Sequence, residues 1–260
     1  MWGGRPDGRL IGRRREKQLP LSLAGLVLSA PGCSSEDRFA RVDGTLCINL
    51  ACRADRWQVL REHLGGLAWP FPPAERFEAV DSRDCAVPEI LAGYAPYIGC
   101  LRSHLAAWAE AAQRDWRSCL VLEDDVYFAA DFDNRVAAFL AAMPDDWDMF
   151  YLGGQPIRQR TRKASAGERV LRVSGLLTLH AYAVTISAAA ALTAYVNSRL
   201  ASVGEDPDFF RRRRFNIDRL LAEYQLRHPE FIVYRPTAWL AGQRNGVSDI
   251  LGRYVPARKV

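Results

Sequence analysis

The sequence predicts an α/β protein with a mostly parallel central sheet flanked by helices. Three observations carry this expectation. From residue 45 onward, short apolar runs alternate with amphipathic stretches, the order of strand–helix–strand units. The run Cys119 to Leu122 is apolar without alternation, as in a strand buried on both faces. That run passes straight into Glu123, Asp124 and Asp125, at the strand end where open α/β sheets bind their ligands.

The elements follow in order. Thr45 to Leu50 reads as a first strand. Asp55 to Leu67 places Trp57, Leu60 and Leu64 on one helical face, with Asp55 favoured by the helix dipole near its start. Pro70, Pro72 and Pro73 break the chain. Arg76 to Val80 is a second strand ending at Asp81, and Tyr97 to Arg114 repeats Ile98, Leu101, Leu105, Trp108 and Ala112 at helical spacing. After the acidic strand come a helix over Phe132 to Met143 and a strand over Trp147 to Leu152, closed by Gly153 and Gly154. Residues 155–169 are polar and basic without an apolar period and read as a loop. His180 to Ile186 is a strand, and Ser187 to Val196 a helix with Ser187 as its N-cap. A helix over Phe215 to Tyr224, a strand over Glu230 to Tyr234 and a polar tail from Gln243 to Ile250 complete the series. Neither a repeat nor a linker interrupts it, so residues 45–255 read as one domain and residues 1–44 as an N-terminal extension.

Composition narrows the classes. The 260-residue chain is 49% hydrophobic and 25% charged, as in soluble globular proteins. Of its formal charge of +5, residues 1–41 carry +4, with eight Arg and Lys against four acids. The body is nearly neutral, so no nucleic-acid face is implied. Arg13 to Lys17, the apolar stretch Leu19 to Ala30 and Cys33 resemble a weak secretory or lipoprotein signal, although a start codon assigned upstream of the domain gives the same pattern. The apolar stretch is too short for a membrane span. Six cysteines show no zinc spacing and are expected to be reduced, which fits a cytoplasmic protein.

Three clustered acids at a buried strand end repel one another and call for a cation. Hard carboxylate oxygens suit Mg²⁺ or Mn²⁺, ions commonly shared with a substrate phosphate. Asn49, Arg53 and Arg56 follow the first strand, where base, ribose or phosphate would lie, and the Arg53 guanidinium fork matches phosphate oxygens. Asp81 ends the second strand, in position to accept from ribose or base. The plainer alternatives are a solvated acidic turn and a solvated Arg-rich turn. A phosphohydrolase would need an aspartyl-nucleophile pattern that Glu-Asp-Asp-Val-Tyr does not supply.

Taken together, Ile48-Asn49-Leu50 with Arg53, Asp55 and Arg56, Ala79-Val80-Asp81-Ser82, Gly99-Cys100-Leu101-Arg102-Ser103-His104, Leu122 to Val126, Trp147-Asp148, His180-Ala181-Tyr182, Ile217-Asp218, Gln243 and Ser248-Asp249-Ile250 form an ordered series. Its order and spacing resemble the family 25 glycosyltransferases over about residues 45–250. That family includes bacterial lipooligosaccharide β-galactosyltransferases and relatives of collagen galactosyltransferases. Ser82, where the family often has Gly, and Leu101, where it often has Ala, depart from the pattern.

The resemblance implies a GT-A type nucleotide-diphospho-sugar transferase fold and a metal-dependent inverting transfer of a hexose. Galactose from UDP-galactose is the first expectation, passed to a hydroxyl of a glycan acceptor. It implies Glu123 and Asp125 as ligands of Mn²⁺ or Mg²⁺, with His180 as a further ligand or a diphosphate contact. Asp124 is expected as a ligand or ribose contact. Asp218 is the candidate general base and Asp148 the runner-up. Asn49, Arg53, Arg56, Asp81, Ser103, Asp124, Gln243, Ser248 and Asp249 are the expected nucleotide-sugar contacts, the last three on a tail that folds over the donor. His104 is expected to orient a loop or cap the acids. The basic 155–169 loop is either an acceptor lid or simply disordered, and Arg211 to Arg214 either a contact to anionic lipid, as for a peripheral enzyme acting on lipopolysaccharide or lipooligosaccharide, or the more common solvated charge run. The rival reading is a non-catalytic relative that binds a glycan or a partner.

Overall fold

A computed structural model describes residues 41–84, 93–157, 162–163, 169–201 and 216–257. The expectations for residues 1–40, for most of the 155–169 loop, and for Arg211 to Arg214 lie outside the described residues.

In chain order the elements are β1 (Gly44–Asn49), α1 (Ala54–Gly65), β2 (Ala74–Glu78), α2 (Ala95–Gln113), β3 (Ser118–Glu123), β4 (Val126–Phe128), α3 (Phe132–Ala142), β5 (Met149–Pro156), β6 (Arg162–Lys163), β7 (Val170–Val173), β8 (Leu176–Thr185), α4 (Ile186–Ala201), α5 (Ile217–Arg227), β9 (Val233–Pro236), β10 (Ala241–Gln243), β11 (Gly246–Ser248) and β12 (Arg253–Val255). The main sheet has the order β2-β1-β3-β8-β5-β9-β7-β6. β1 pairs parallel with β2 and β3, and β5 with β9, whereas β8 runs antiparallel between β3 and β5. With β7 antiparallel to both β9 and β6, six of the eight strands point the same way. The fold is the expected α/β class, with a mostly parallel central sheet.

Side-chain alternation along the buried strands divides the core into two layers. On β3, Cys119 and Val121 face a cluster with Leu101 and Trp108 of α2, Leu192 of α4 and Leu220 of α5. Leu120 and Leu122 face the other cluster, with Leu60 and Leu64 of α1 and Phe132 and Phe139 of α3. The helices therefore cover both faces, which is why β3 lacks an apolar–polar alternation.

This topology positions the site. β1 lies between β2 and β3, so α1 and α2 leave for opposite faces and a crevice opens at the carboxyl ends of β1 and β3. Register places Ile48 beside Glu123, so Asn49 and the acids converge there. Gly99 lets α2 press against the chain after β2, since a Cβ there would come 2.9 Å from the Val80 carbonyl oxygen.

Two local expectations need correction. Ser187 is not the N-cap of α4: the helix starts at Ile186 directly from β8, and the Thr185 hydroxyl accepts the Ala188 N–H at 3.2 Å. The polar tail is not merely a loop. β10 pairs with β4, and β11 and β12 form a hairpin.

Candidate active site

A cleft of about 530 Å³ opens at this crevice. Its floor carries Glu123, Asp124 and Asp125, its far wall Thr178, Asp218 and Arg219, and its rim Arg53, Arg56 and the segment from Gln243 to Ser248.

The three acids are held differently. The Asp124 carboxylate accepts from Asn49 Nδ2 at 2.7 Å and from Arg56 Nη1 at 3.2 Å. Burial pushes its pKa up, while Asn49 and Arg56 act against that. Glu123 accepts from Gln243 Nε2 at 3.2 Å on one oxygen and lies 3.4 Å from His104 Nε2 on the other. Among the described residues, the Asp125 carboxylate accepts a single long contact, from Gln243 Nε2 at 3.5 Å. Burial, and then the neighbouring Glu123 and Asp124, push its pKa up to about 7. This pocket therefore carries more negative charge than its own cations offset, and a hard divalent cation on Asp125 and Glu123 would supply the missing positive charge. The donor set fits such an ion.

Asp218 sits in the first turn of α5, half-buried in the opposite wall. Its carboxylate accepts the Thr178 N–H at 3.4 Å, and burial raises its pKa. Thr178 itself has φ +67°, a left-handed conformation costly for a β-branched residue. That backbone turns its N–H toward Asp218.

The tail folds back over the cleft, and Arg53 and Arg56 hold it there. Arg53 Nη1 lies 2.8 Å and Arg56 Nη1 3.1 Å from the Asp249 carboxylate, and Arg56 also donates to the Val247 carbonyl. The Ser248 hydroxyl accepts the Leu251 N–H at 3.1 Å. These arginines, expected as nucleotide-sugar contacts, line the cleft and in this arrangement also tether the hairpin. Asn49 is a buried hub that donates to Asp124 and to the Arg53 carbonyl and accepts from Arg76. It orients the floor and does not line the cleft.

Six expected site residues do not line the cleft: Asn49 and Asp249, described above, and Asp148, Ser103, His180 and Asp81. Asp148 precedes β5 at the opposite end of the sheet, where its carboxylate accepts the Ile232 N–H at 2.7 Å, so it is not a catalytic base. Ser103 donates to the Gly99 carbonyl at 2.7 Å and accepts the Val80 N–H at 2.9 Å, and this buried hydroxyl splints α2 to the chain after β2 instead of meeting a nucleotide. His180 is buried between β5 and β10, its Nε2 3.3 Å from the Ala241 carbonyl oxygen. A Cβ on Gly153 would strike that nitrogen and that oxygen, so the missing side chain makes room for the ring. His180 is packed into this wall and does not line the cleft that holds Glu123. Asp81 is engaged by the Arg83 side chain and N–H, which lower its pKa, and it does not line the cleft.

The cleft also uses residues the motif reading passed over. Tyr97, Cys100, Thr178, Arg219 and Arg244 all line it. Arg219 and Arg244 adjoin Asp218 and Gln243 in sequence, a usable signal, whereas Thr178 is marked only by its backbone. Cys100 Sγ, a His104 ring nitrogen and a Glu123 oxygen lie within 4.8 Å of one another, and burial and nearby carboxylates hold the Cys100 thiol protonated.

Residues 95–202 match the sequence family described as Glycosyltransferase family 25 (LPS biosynthesis protein), so the resemblance read from the sequence holds over this stretch. The chain is 31% identical over 176 residues to the human inactive glycosyltransferase 25 family member 3, covering 58% of this chain and 29% of that protein. It is 33% identical over 78 residues to mouse procollagen galactosyltransferase 2, covering 25% and 12%. The chain thus spans less than a third of the curated relatives it matches. Among solved structures, a glycosyltransferase involved in glycosylation of the PBCV-1 major capsid aligns at 13% identity and TM-score 0.35, covering 63% of this chain and 67% of that one.

Proposed function

We propose that this chain is a metal-dependent inverting glycosyltransferase of the GT-A type, moving a hexose from a UDP-sugar to a hydroxyl of a glycan acceptor. Galactose follows from the relatives named galactosyltransferases. A lipopolysaccharide or other surface glycan acceptor follows from the family description. The observation that carries the reading is that Glu123 and Asp125, the latter with a pKa raised by burial and by its acidic neighbours, share one cleft with the half-buried Asp218.

In this reading Asp125 and Glu123 would hold Mn²⁺ or Mg²⁺, with Gln243 steadying both carboxylates, and the ion would supply Lewis-acid stabilisation of a leaving diphosphate. Asp218 takes the proton from the acceptor hydroxyl as its oxygen bonds to the anomeric carbon, and the bond from that carbon to the diphosphate oxygen breaks on the opposite face, releasing UDP. A carboxylate whose pKa is raised by burial is a stronger base than a solvated one, which suits this role. The hairpin over the cleft limits access of water to the donor. Among the described residues no helix is long and apolar enough to cross a membrane. A peripheral, cytoplasmic enzyme meeting a membrane-borne acceptor is the working assignment.

Two of the relatives are named inactive or probably inactive, so a non-catalytic binding protein is the rival. Donor binding and slow hydrolysis across a panel of nucleotide sugars, with Mn²⁺ and with EDTA, separates the two. Mn²⁺-dependent cleavage of one UDP-sugar supports transfer and names the donor. A folded protein that binds none of them in Mn²⁺ refutes it.

A further inference from the structure

We propose that a buried hydrogen-bond chain from Trp108 through Tyr182 to His104 fixes His104 in its Nε2–H tautomer and makes it the positioning residue for Glu123. The inference rests on the functional reading only for the role of Glu123. The tautomer itself follows from the geometry.

His104 and Trp108 lie one turn apart on α2, and Tyr182 stands on β8 beneath them. All three side chains are buried. Trp108 Nε1 is 2.9 Å from the Tyr182 hydroxyl oxygen, and an indole N–H can only donate. One phenol lone pair is therefore taken. His104 Nδ1 lies 3.0 Å from the same oxygen. Among the described residues, it is the remaining group within hydrogen-bond distance of that hydroxyl. Were His104 to donate from Nδ1, the phenol proton would sit in a dry site without an acceptor, an arrangement buried hydroxyls avoid. The hydroxyl must donate into Nδ1, which leaves the ring proton on Nε2. That nitrogen faces Glu123 Oε1 at 3.4 Å. Burial pushes the Tyr182 pKa well up, so the phenol keeps the proton it gives.

The consequence is mechanical. Gln243 holds one Glu123 oxygen from the tail, and His104 holds the other from α2. The carboxylate is then fixed at the cleft floor before any ligand arrives, as outer partners orient metal-binding groups elsewhere. The same tautomer argues against a zinc site on Cys100, His104 and Glu123, because the histidine nitrogen facing them carries a proton.

The test is ring ¹⁵N NMR of the full chain labelled at histidine, with His104→Gln identifying the resonance. A protonated Nε2 and unprotonated Nδ1 for His104 at neutral pH is the expected result. An Nδ1–H tautomer overturns the proposal whatever the activity. Tyr182→Phe should release the tautomer preference and weaken Mn²⁺ binding, measured by electron paramagnetic resonance, by about tenfold. His104→Gln, which can present an N–H in place of Nε2, should keep most of the affinity that His104→Ala loses. Unchanged Mn²⁺ affinity in both Tyr182→Phe and His104→Ala refutes the positioning role, and so does stoichiometric zinc retained through dialysis and lost in Cys100→Ser. A correct tautomer in a protein that binds no UDP-sugar would sink the transferase reading alone.

Discussion

Replacing Asp125 by Asn should make the metal-free protein more stable at neutral and alkaline pH while removing its response to Mn²⁺. The folded-state pKa of Asp125 is pushed up to about 7 from 3.8, by burial first and then by Glu123 and Asp124. A raised carboxylate binds more protons in the folded than in the unfolded chain between those values. Stability therefore falls as pH rises through that window, and the full cost is present above it. A difference of about 3 units corresponds to about 4 kcal/mol. This is a ceiling, because the three acids titrate as a cluster and share the cost. Asn keeps the shape and a carbonyl acceptor for Gln243 but carries no charge. The assay is urea unfolding in EDTA at pH 4.5, 6 and 8 for both proteins, taking the difference so that other groups cancel. The variant should gain little at pH 4.5 and up to about 4 kcal/mol at pH 8. Adding Mn²⁺ at a hundredfold excess over its Kd should stabilise the native sequence by about 2.7 kcal/mol and the variant hardly at all. Equal stability of the two proteins across this pH range in EDTA would refute the charge argument, and equal Mn²⁺ shifts would refute Asp125 as a ligand.

Asp218→Asn keeps an acceptor for the Thr178 N–H, so it should fold normally while transfer drops by about 10²–10⁴-fold; intact turnover places the base elsewhere. Thr178→Gly relieves the φ of +67° and should raise unfolding stability by about 1 kcal/mol while lowering transfer, because Asp218 is held less firmly; a loss of stability would show that the strain is imaginary. Asp249→Ala leaves Arg53 and Arg56 without their shared carboxylate, so limited proteolysis should cut the segment Gly246 to Val255 faster and UDP-sugar affinity should fall; an unchanged cleavage rate would mean that the hairpin is held by other contacts.

Much of this arrangement was legible in the sequence because its physics is local. The unalternating Cys119 to Leu122 run announced a strand covered on both sides, and both core layers meet on it. The acids that end it lie in the cleft, together with Asp218 and Gln243 from distant segments. What could not be read depends on long-range geometry. Asp148 looks like any strand-end acid, and only the sheet order shows that it lies at the wrong end. His180 and His104 are alike as isolated letters. Gly153 admits the His180 ring against β10, whereas a helical turn aims His104 at Glu123. The antiparallel insertion of β8 between β3 and β5 leaves no local mark, yet it brings Thr178 and the start of α5 beside the acids. Short strands such as β4 and β10 have too few residues to show a period, and they exist because they pair with each other.

The three acids divide their labour by what already holds them. Asp124 is nearest to saturation, with Asn49 on one oxygen and Arg56 on the other. Arg56 also reaches Asp249 and the Val247 carbonyl. Asp124 is thus the inner end of a strut that runs from the β1–β3 crevice through Arg56 to the hairpin, and a cation drawn onto it would compete with that guanidinium. Among the described residues Asp125 has only the long Gln243 contact, and the cost of its charge shows in its raised pKa. Glu123 stands between, held on one oxygen by Gln243 and on the other by His104. The same triplet therefore anchors the lid through its middle acid and offers its charge through the outer two. Binding a cation at the outer pair should leave the strut intact, so that metal loading and lid retention are carried by neighbouring side chains without one displacing the other.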